Sequence, residues 1–173
     1  MFVFVARQMF DQDHIAAELL VHECLHQRLN DISVTRALFR PEYHDGRSAT
    51  VSVPWSFGSS RVREFSADRS FAAYHVYSHQ TLLYLGMYAT AEDQAEAATA
   101  LENLVLAWAR AAHFARALAD GPILAELGPD GHRFVAWLSR AVDDLGEFRL
   151  PDGTALHDHA EEYTGPESAA SND

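Results

Sequence analysis

The chain has 173 residues, 48% of them hydrophobic, which is enough for one compact domain with a buried core. A net charge of −12 without any basic run argues against nucleic acid or an anionic membrane surface as the partner. All thirteen basic residues are arginine, which excludes lysine Schiff-base chemistry, and a single cysteine excludes an internal disulfide.

The opening MFVFVARQMF is too short an apolar run for a signal peptide and lacks a basic start. No later apolar run has the length of a transmembrane helix. Together with the lone cysteine, these features predict a cytoplasmic protein.

The spacing of apolar residues predicts a first helix over residues 13 to about 30, with Leu19, His22, His26 and Leu29 on one inward stripe. After residue 39, prolines and glycines interrupt any helix, and only residues 50–53 have the pattern of a strand. We therefore expect an irregular insert there, with at most a short strand or hairpin.

Helical spacing returns from about residue 68, and the predicted inward stripe consists of Phe71, His75, Ser78, Leu82 and Leu85. A third helix is expected from Thr90, where Thr-Ala-Glu-Asp matches a capping box, up to the stop at Gly121-Pro122. A fourth is expected over residues 130–146, with an inward face of Phe134, Trp137, Leu138 and Val142.

These elements predict a mainly α fold, with one helical domain over residues 1–150. Residues 151–173 carry six acids and no arginine from Asp152 onward, and their apolar content is low. Such a composition is typical of a flexible acidic tail.

The sequence HECLH at residues 22–26 carries the strongest chemical signal. On a helix, His22 and His26 lie on the same face one turn apart and can bind one metal ion, with Glu23 on the flank. Burying two imidazoles on an apolar stripe is costly unless their nitrogens are satisfied, and a metal satisfies both at once. The alternative is a pair of core histidines that form hydrogen bonds.

A metal site needs a third ligand. In the zinc-protease continuation a histidine would stand six residues after His26, where this chain has Ile32. The next helix instead offers His75 and His79, and His75 is the first candidate because it lies on the apolar stripe. A second Glu-x-x-His, which a di-iron bundle would require, does not occur in the sequence. We expect Cys24 to be buried rather than catalytic.

Three sequence elements carry a resemblance to a known family: LVHECLHQRLN at 20–30, VPW at 53–55, and Arg69 followed by His75. They resemble the HExxH domain family associated with modification of ribosomally made peptides. Some of its members are 2-oxoglutarate-dependent peptide β-hydroxylases in which the motif holds iron. The chain departs from the family at Ser56, where members usually have arginine, and at Val76, where they favour a small residue.

The resemblance implies Fe(II) bound by His22, His26 and His75, with 2-oxoglutarate as cosubstrate and a peptide, a ribosomally made precursor, as substrate. Three protein ligands leave room at iron for a bidentate cosubstrate and for oxygen. Because the chain has no lysine, an arginine must bind the distal carboxylate. Arg69 is the first candidate, followed by Arg61 and Arg63.

Two other functions stay open at this point. A zinc peptidase would use Glu23 as the general base that activates water. A metal-free interaction domain would keep the helices and would have lost catalysis. Aromatic residues near the motifs, Trp55, Tyr74 and Tyr77, could form the wall of a peptide groove.

Overall fold

A computed structural model describes residues 13–55 and 63–159. Within these ranges the chain forms four α-helices and one two-stranded antiparallel sheet: α1 (Asp13–Thr35), β1 (Thr50–Val53), β2 (Arg63–Ser66), α2 (Ala67–Thr90), α3 (Gln94–Ala119) and α4 (Pro129–Gly146). The prediction of a mainly helical fold, whose insert contains at most a short strand or hairpin, is confirmed.

The antiparallel pair of α2 and α3 forms the centre of the fold. Helix α1 packs against α2, and α4 packs mainly against α3. Fully buried side chains from both central helices fill the core, and they include Phe71, Tyr74, Leu104, Phe114 and Leu118. Apolar burial on this scale is the main stabilising term of a helical domain.

The insert is tied to the beginning of α2 by side-chain hydrogen bonds. The hydroxyl of Ser48 accepts a bond from the backbone N–H of Ala67 at 2.9 Å and donates to a carboxylate oxygen of Glu126 at 2.7 Å. The hydroxyl of Tyr43 donates to Asp68 at 2.8 Å. These contacts hold the N-terminal end of α2 in place. They therefore help to position His75, which lies further along the same helix.

Several boundaries differ from the predicted ones. Helix α1 continues to Thr35, and strand β2 was not predicted because its polar residues pair with β1 without an alternating apolar pattern. The third helix begins after Asp93, whose carboxylate accepts bonds from the N–H groups of Ala95 and Glu96 at 2.8 and 2.9 Å. Thr90, the predicted start of the third helix, is the last residue of α2. Asp93 caps α3 in its place, because its carboxylate accepts from the first free N–H groups of that helix.

The predicted inward faces were wrong at two positions, since the side chains of Leu82 and Trp137 are 51% and 57% exposed. The face that α2 buries is the one that meets α3, and this turns Leu82 outward. Cys24 is also exposed, contrary to expectation.

Packed structure extends beyond residue 150, because Ala155 and Leu156 are fully buried. The remainder of the predicted tail, residues 160–173, lies outside the described residues. None of the helices in the described ranges is both long enough and apolar enough to cross a membrane.

Alanine substitutions at two helical glycines should have opposite effects on stability. A Cβ on Gly131 would stand 2.1 Å from the backbone oxygen of Leu38, so Gly131→Ala should lower the free energy of unfolding by about 1–3 kcal/mol. A Cβ on Gly86 meets nothing within 4 Å, so Gly86→Ala should raise it by roughly 0.5–1 kcal/mol. Urea unfolding of both variants checks this, and equal effects would contradict the close approach of α4 to Leu38.

Candidate metal centre

The two histidines of the HECLH sequence come together on α1 as predicted. Their Nε2 atoms are 3.0 Å apart, and both rings are partly buried. Two nitrogens bound to one ion at about 2.0–2.1 Å are separated by roughly 3.0–3.4 Å. The pair therefore has the separation that a shared metal requires, although a single N–H···N hydrogen bond would give the same distance.

Burial lowers the pKa of His22, and charge on His26 lowers it further. The carboxylates of Glu23 and Glu18 oppose this shift. The net effect favours the neutral imidazole, which is the form that binds a metal ion.

His75 is buried in the middle of α2 with only 3% of its surface exposed. Neither ring nitrogen has a hydrogen-bond partner among the described residues. Its ring packs against Phe134 and His79, with centroid distances of 5.4 and 4.4 Å. Burial, with smaller contributions from His79 and His26, lowers the pKa of His75 to about 4. Helix α2, which carries His75, packs against α1.

His79 is the second histidine of α2, and unlike His75 it has a hydrogen-bond partner for one ring nitrogen. Its Nδ1 lies 2.7 Å from the backbone oxygen of His75 and must carry the proton to donate to it. The lone pair is then on Nε2, as in many metal-bound histidines whose other nitrogen donates to a carbonyl. Both His75 and His79 therefore stay candidates for the third ligand.

No three side chains of His, Cys, Asp or Glu in the described part of the chain are grouped in a geometry that would hold a metal ion. The structure thus assembles two of the expected ligands into a pair. The role of His75 as the third stays a prediction.

Glu18 and Glu23 have different surroundings on α1. Glu18 accepts a hydrogen bond from Nε2 of Gln80 at 3.1 Å. Burial, with a contribution from the carboxylate of Glu18, raises the pKa of Tyr84 on α2. Glu18 therefore connects α1 to α2 and does not bond to His22. Glu23 is partly exposed on the flank of the pair, as the sequence predicted.

Of the three arginines expected to bind the cosubstrate, Arg69 can be placed relative to His75, and it lies on another face of α2. Arg69 is exposed in the first turn of α2, and six helical positions separate it from His75 by about 240° around the axis. This placement argues against the role expected for Arg69. Arg63 is exposed on β2, and Arg61 lies outside the described residues.

An arginine that the sequence analysis did not consider, Arg110 on α3, is half-buried. The carbon of its guanidinium group lies 5.5 Å from the ring centroids of both Trp55 and Tyr77. Its Nε atom is buried without a hydrogen-bond partner in the described ranges. The available signal was an isolated arginine in the otherwise apolar run VLAWARAAHFA.

The aromatic residues proposed as groove walls separate into two groups. Tyr74 is fully buried, and its hydroxyl lies 3.0 Å from that of Ser139, so it belongs to the core. Trp55 and Tyr77 are partly buried and pack against Phe114 as well as against Arg110. Only these two are placed to contact a ligand.

Compared with known proteins, the chain matches no family model, no curated protein and no solved structure. The resemblance to the HExxH domain family therefore depends on the motif residues alone.

Replacing His75 in the metal-free protein tests whether its buried ring destabilises the fold when no metal is bound. A buried imidazole without partners costs free energy, so His75→Leu should raise the free energy of unfolding of the metal-free protein by about 1–3 kcal/mol. His79→Leu is the matched control and should give no such gain, because it removes a satisfied hydrogen bond. Urea unfolding in a chelator measures both, and a loss of stability in His75→Leu would show that His75 is an ordinary packing residue.

Proposed function

We propose that the chain is an Fe(II)- and 2-oxoglutarate-dependent oxygenase that hydroxylates the β-carbon of a side chain in a peptide. The observations that carry this proposal are the Nε2 atoms of His22 and His26, 3.0 Å apart on α1, and the buried imidazole of His75 on the neighbouring helix α2, which has no hydrogen-bond partner among the described residues. The motif resemblance supplies the reaction and the substrate class, a ribosomally made precursor peptide in the cytoplasm.

The histidines would hold the metal as neutral imidazoles. His22 and His26 supply two nitrogens from α1, and His75 supplies the third from α2, with His79 as the alternative. The low pKa of His75 keeps its ring nitrogens free of a second proton at neutral pH. Binding a cation here would also satisfy a ring nitrogen that is otherwise buried at a cost.

When bound, Fe(II) supplies oxygen activation: one oxygen atom enters the C–H bond, and the other enters succinate as 2-oxoglutarate loses carbon dioxide. The chain's own residues bind and orient the reactants. Glu23 acts through its charge and as a proton-transfer group beside His22. In a hydrolase the same carboxylate would be the essential base.

An open groove of about 610 Å³ between α1 and α4 supports a peptide substrate. Phe134, which packs on His75, lines this groove together with the exposed Trp137. Three arginines (Arg28, Arg36, Arg133) and two acids (Asp31, Asp130) line it, and Arg133 already pairs with Asp130 at 3.4 Å. Arg28 and Arg36 are therefore the arginines that would bind a carboxylate of the peptide. Phe134 connects this groove to His75, because its ring lines the groove and packs on the histidine.

The proposal predicts stoichiometric Fe(II) binding after anaerobic reconstitution, with zinc excluded because it binds such sites more tightly. His22→Ala and His26→Ala should each reduce iron binding at least tenfold, since each removes one ligand, while helix content by circular dichroism stays unchanged. Metal analysis after gel filtration measures the bound iron.

Two variants serve as controls for this experiment. His44→Ala, on the exposed insert, and Glu23→Gln, next to His22, should both retain iron. Full iron retention in His22→Ala or His26→Ala would reject the site. Peptide cleavage by the zinc form that is lost in Glu23→Gln would identify a hydrolase, and the absence of stoichiometric binding of either metal would identify a metal-free interaction domain.

A further inference from the structure

We infer that Phe134 of α4 is a gate between the groove and His75: an apolar side chain of a ligand in the groove reaches the buried imidazole when this ring turns aside. The identification of that side chain as the one to be hydroxylated rests on the proposed function. The gate itself does not, because it follows from what the ring of Phe134 contacts on each side.

The ring of Phe134 contacts both the buried imidazole and the open groove. On its inner side it packs on His75 and Phe71 of α2, with centroid distances of 5.4 and 5.2 Å. On its outer side it lines the groove and lies 5.9 Å from the ring of Trp137. Trp137 is 57% exposed and His75 is 3% exposed, so burial becomes nearly complete across the ring of Phe134.

Helix geometry explains why Phe134 takes this intermediate position. Around α4, the buried Leu138 lies about 40° to one side of Phe134, and the exposed Trp137 lies about 60° to the other. On α2, His75 follows Phe71 by one turn on the same face, so the ring of Phe134 can contact both. Phe134 is therefore partly buried at the edge of the core, with the groove beside it.

The ring of Phe134 can move in a way that a fully buried ring cannot. Its neighbour Phe71 is fully buried, and displacing that ring would require the close-packed core to expand. Phe134 instead borders the groove, whose volume of about 610 Å³ can accept the ring after a rotation about χ1. Such a rotation breaks the contacts with Phe71 and His75 and leaves the backbone of α4 in place.

The space that the ring leaves favours an apolar occupant. It is bordered by the ring of Phe71, and an apolar side chain there replaces the contacts that Phe134 gives up. A charged side chain would lose its hydration against that ring. The ligand class that the gate admits is therefore a peptide that presents an apolar residue to the inner side of the groove.

A purely structural role is the rival explanation for Phe134. As an ordinary core residue, it would stabilise α4, and any destabilising substitution in the buried face of this helix would expose His75. The gate predicts instead that exposure of His75 depends on position 134. Modification of His75 by diethyl pyrocarbonate in the full metal-free chain, located by peptide mass spectrometry, separates the two explanations.

In the parent chain, His75 should react at least about tenfold more slowly than the exposed His44, because a buried group reacts only after an opening motion. Phe134→Ala should raise the rate at His75 at least about fivefold, since it removes the ring that has to move. Phe134→Leu keeps more of the apolar volume and should raise it less. Benzene, which fills apolar cavities, should slow the reaction again in Phe134→Ala.

Two variants of α4 serve as controls. Val142→Ala makes a cavity in the buried face of the helix, and Trp137→Ala removes the exposed ring at the groove. Both should leave the rate at His75 close to that of the parent chain.

An unchanged rate at His75 in Phe134→Ala would overturn the gate, and so would an equal increase in Val142→Ala. Failure of benzene to restore protection would overturn the preference for an apolar occupant. If iron does not bind at the histidines but Phe134→Ala still exposes His75, the proposed function fails and the gate stands. If iron binds and the rate at His75 does not depend on Phe134, the proposed function stands without the gate.

Discussion

The burial of polar side chains along α2 is the constraint on which the rest of this structure depends. Most of the buried polar side chains in the described ranges lie on this helix. Ser78 and Thr81 donate to backbone oxygens one turn earlier, and Gln80 donates to Glu18 on α1. His75 is the exception, since neither nitrogen of its buried ring has a hydrogen-bond partner among the described residues. Its burial is the one on this helix that a hydrogen bond does not offset there.

Local spacing was sufficient to predict much of the fold and the pairing of His22 with His26. The three- and four-residue periodicity predicted the four helices, and the i, i+4 spacing predicted that His22 and His26 would share one face. Both features depend only on helix geometry, which is the same in any tertiary context. The position of His75 on a buried face followed from the same periodicity, but its distance from α1 did not.

The features that the sequence did not predict depend on contacts between elements. Strand β2 forms because β1 lies beside it, and Leu82 is exposed because α3 determines which face of α2 is buried. Arg110 was missed for the same reason: its surroundings include Trp55 and Tyr77, which approach it from other parts of the chain. Arg69 looked suitable because it is near His75 in sequence, yet helix geometry turns it away.

The central claim is that His22, His26 and a histidine of α2 bind one metal ion. A crystal structure of the protein reconstituted anaerobically with Fe(II), with anomalous data collected at the iron edge, tests this most directly. The account predicts a single iron peak bonded at about 2.0–2.2 Å to Nε2 of His22 and His26 and to a ring nitrogen of His75. A map with no iron at this place, or with an iron bound by α1 alone and His75 still unpaired, would contradict it.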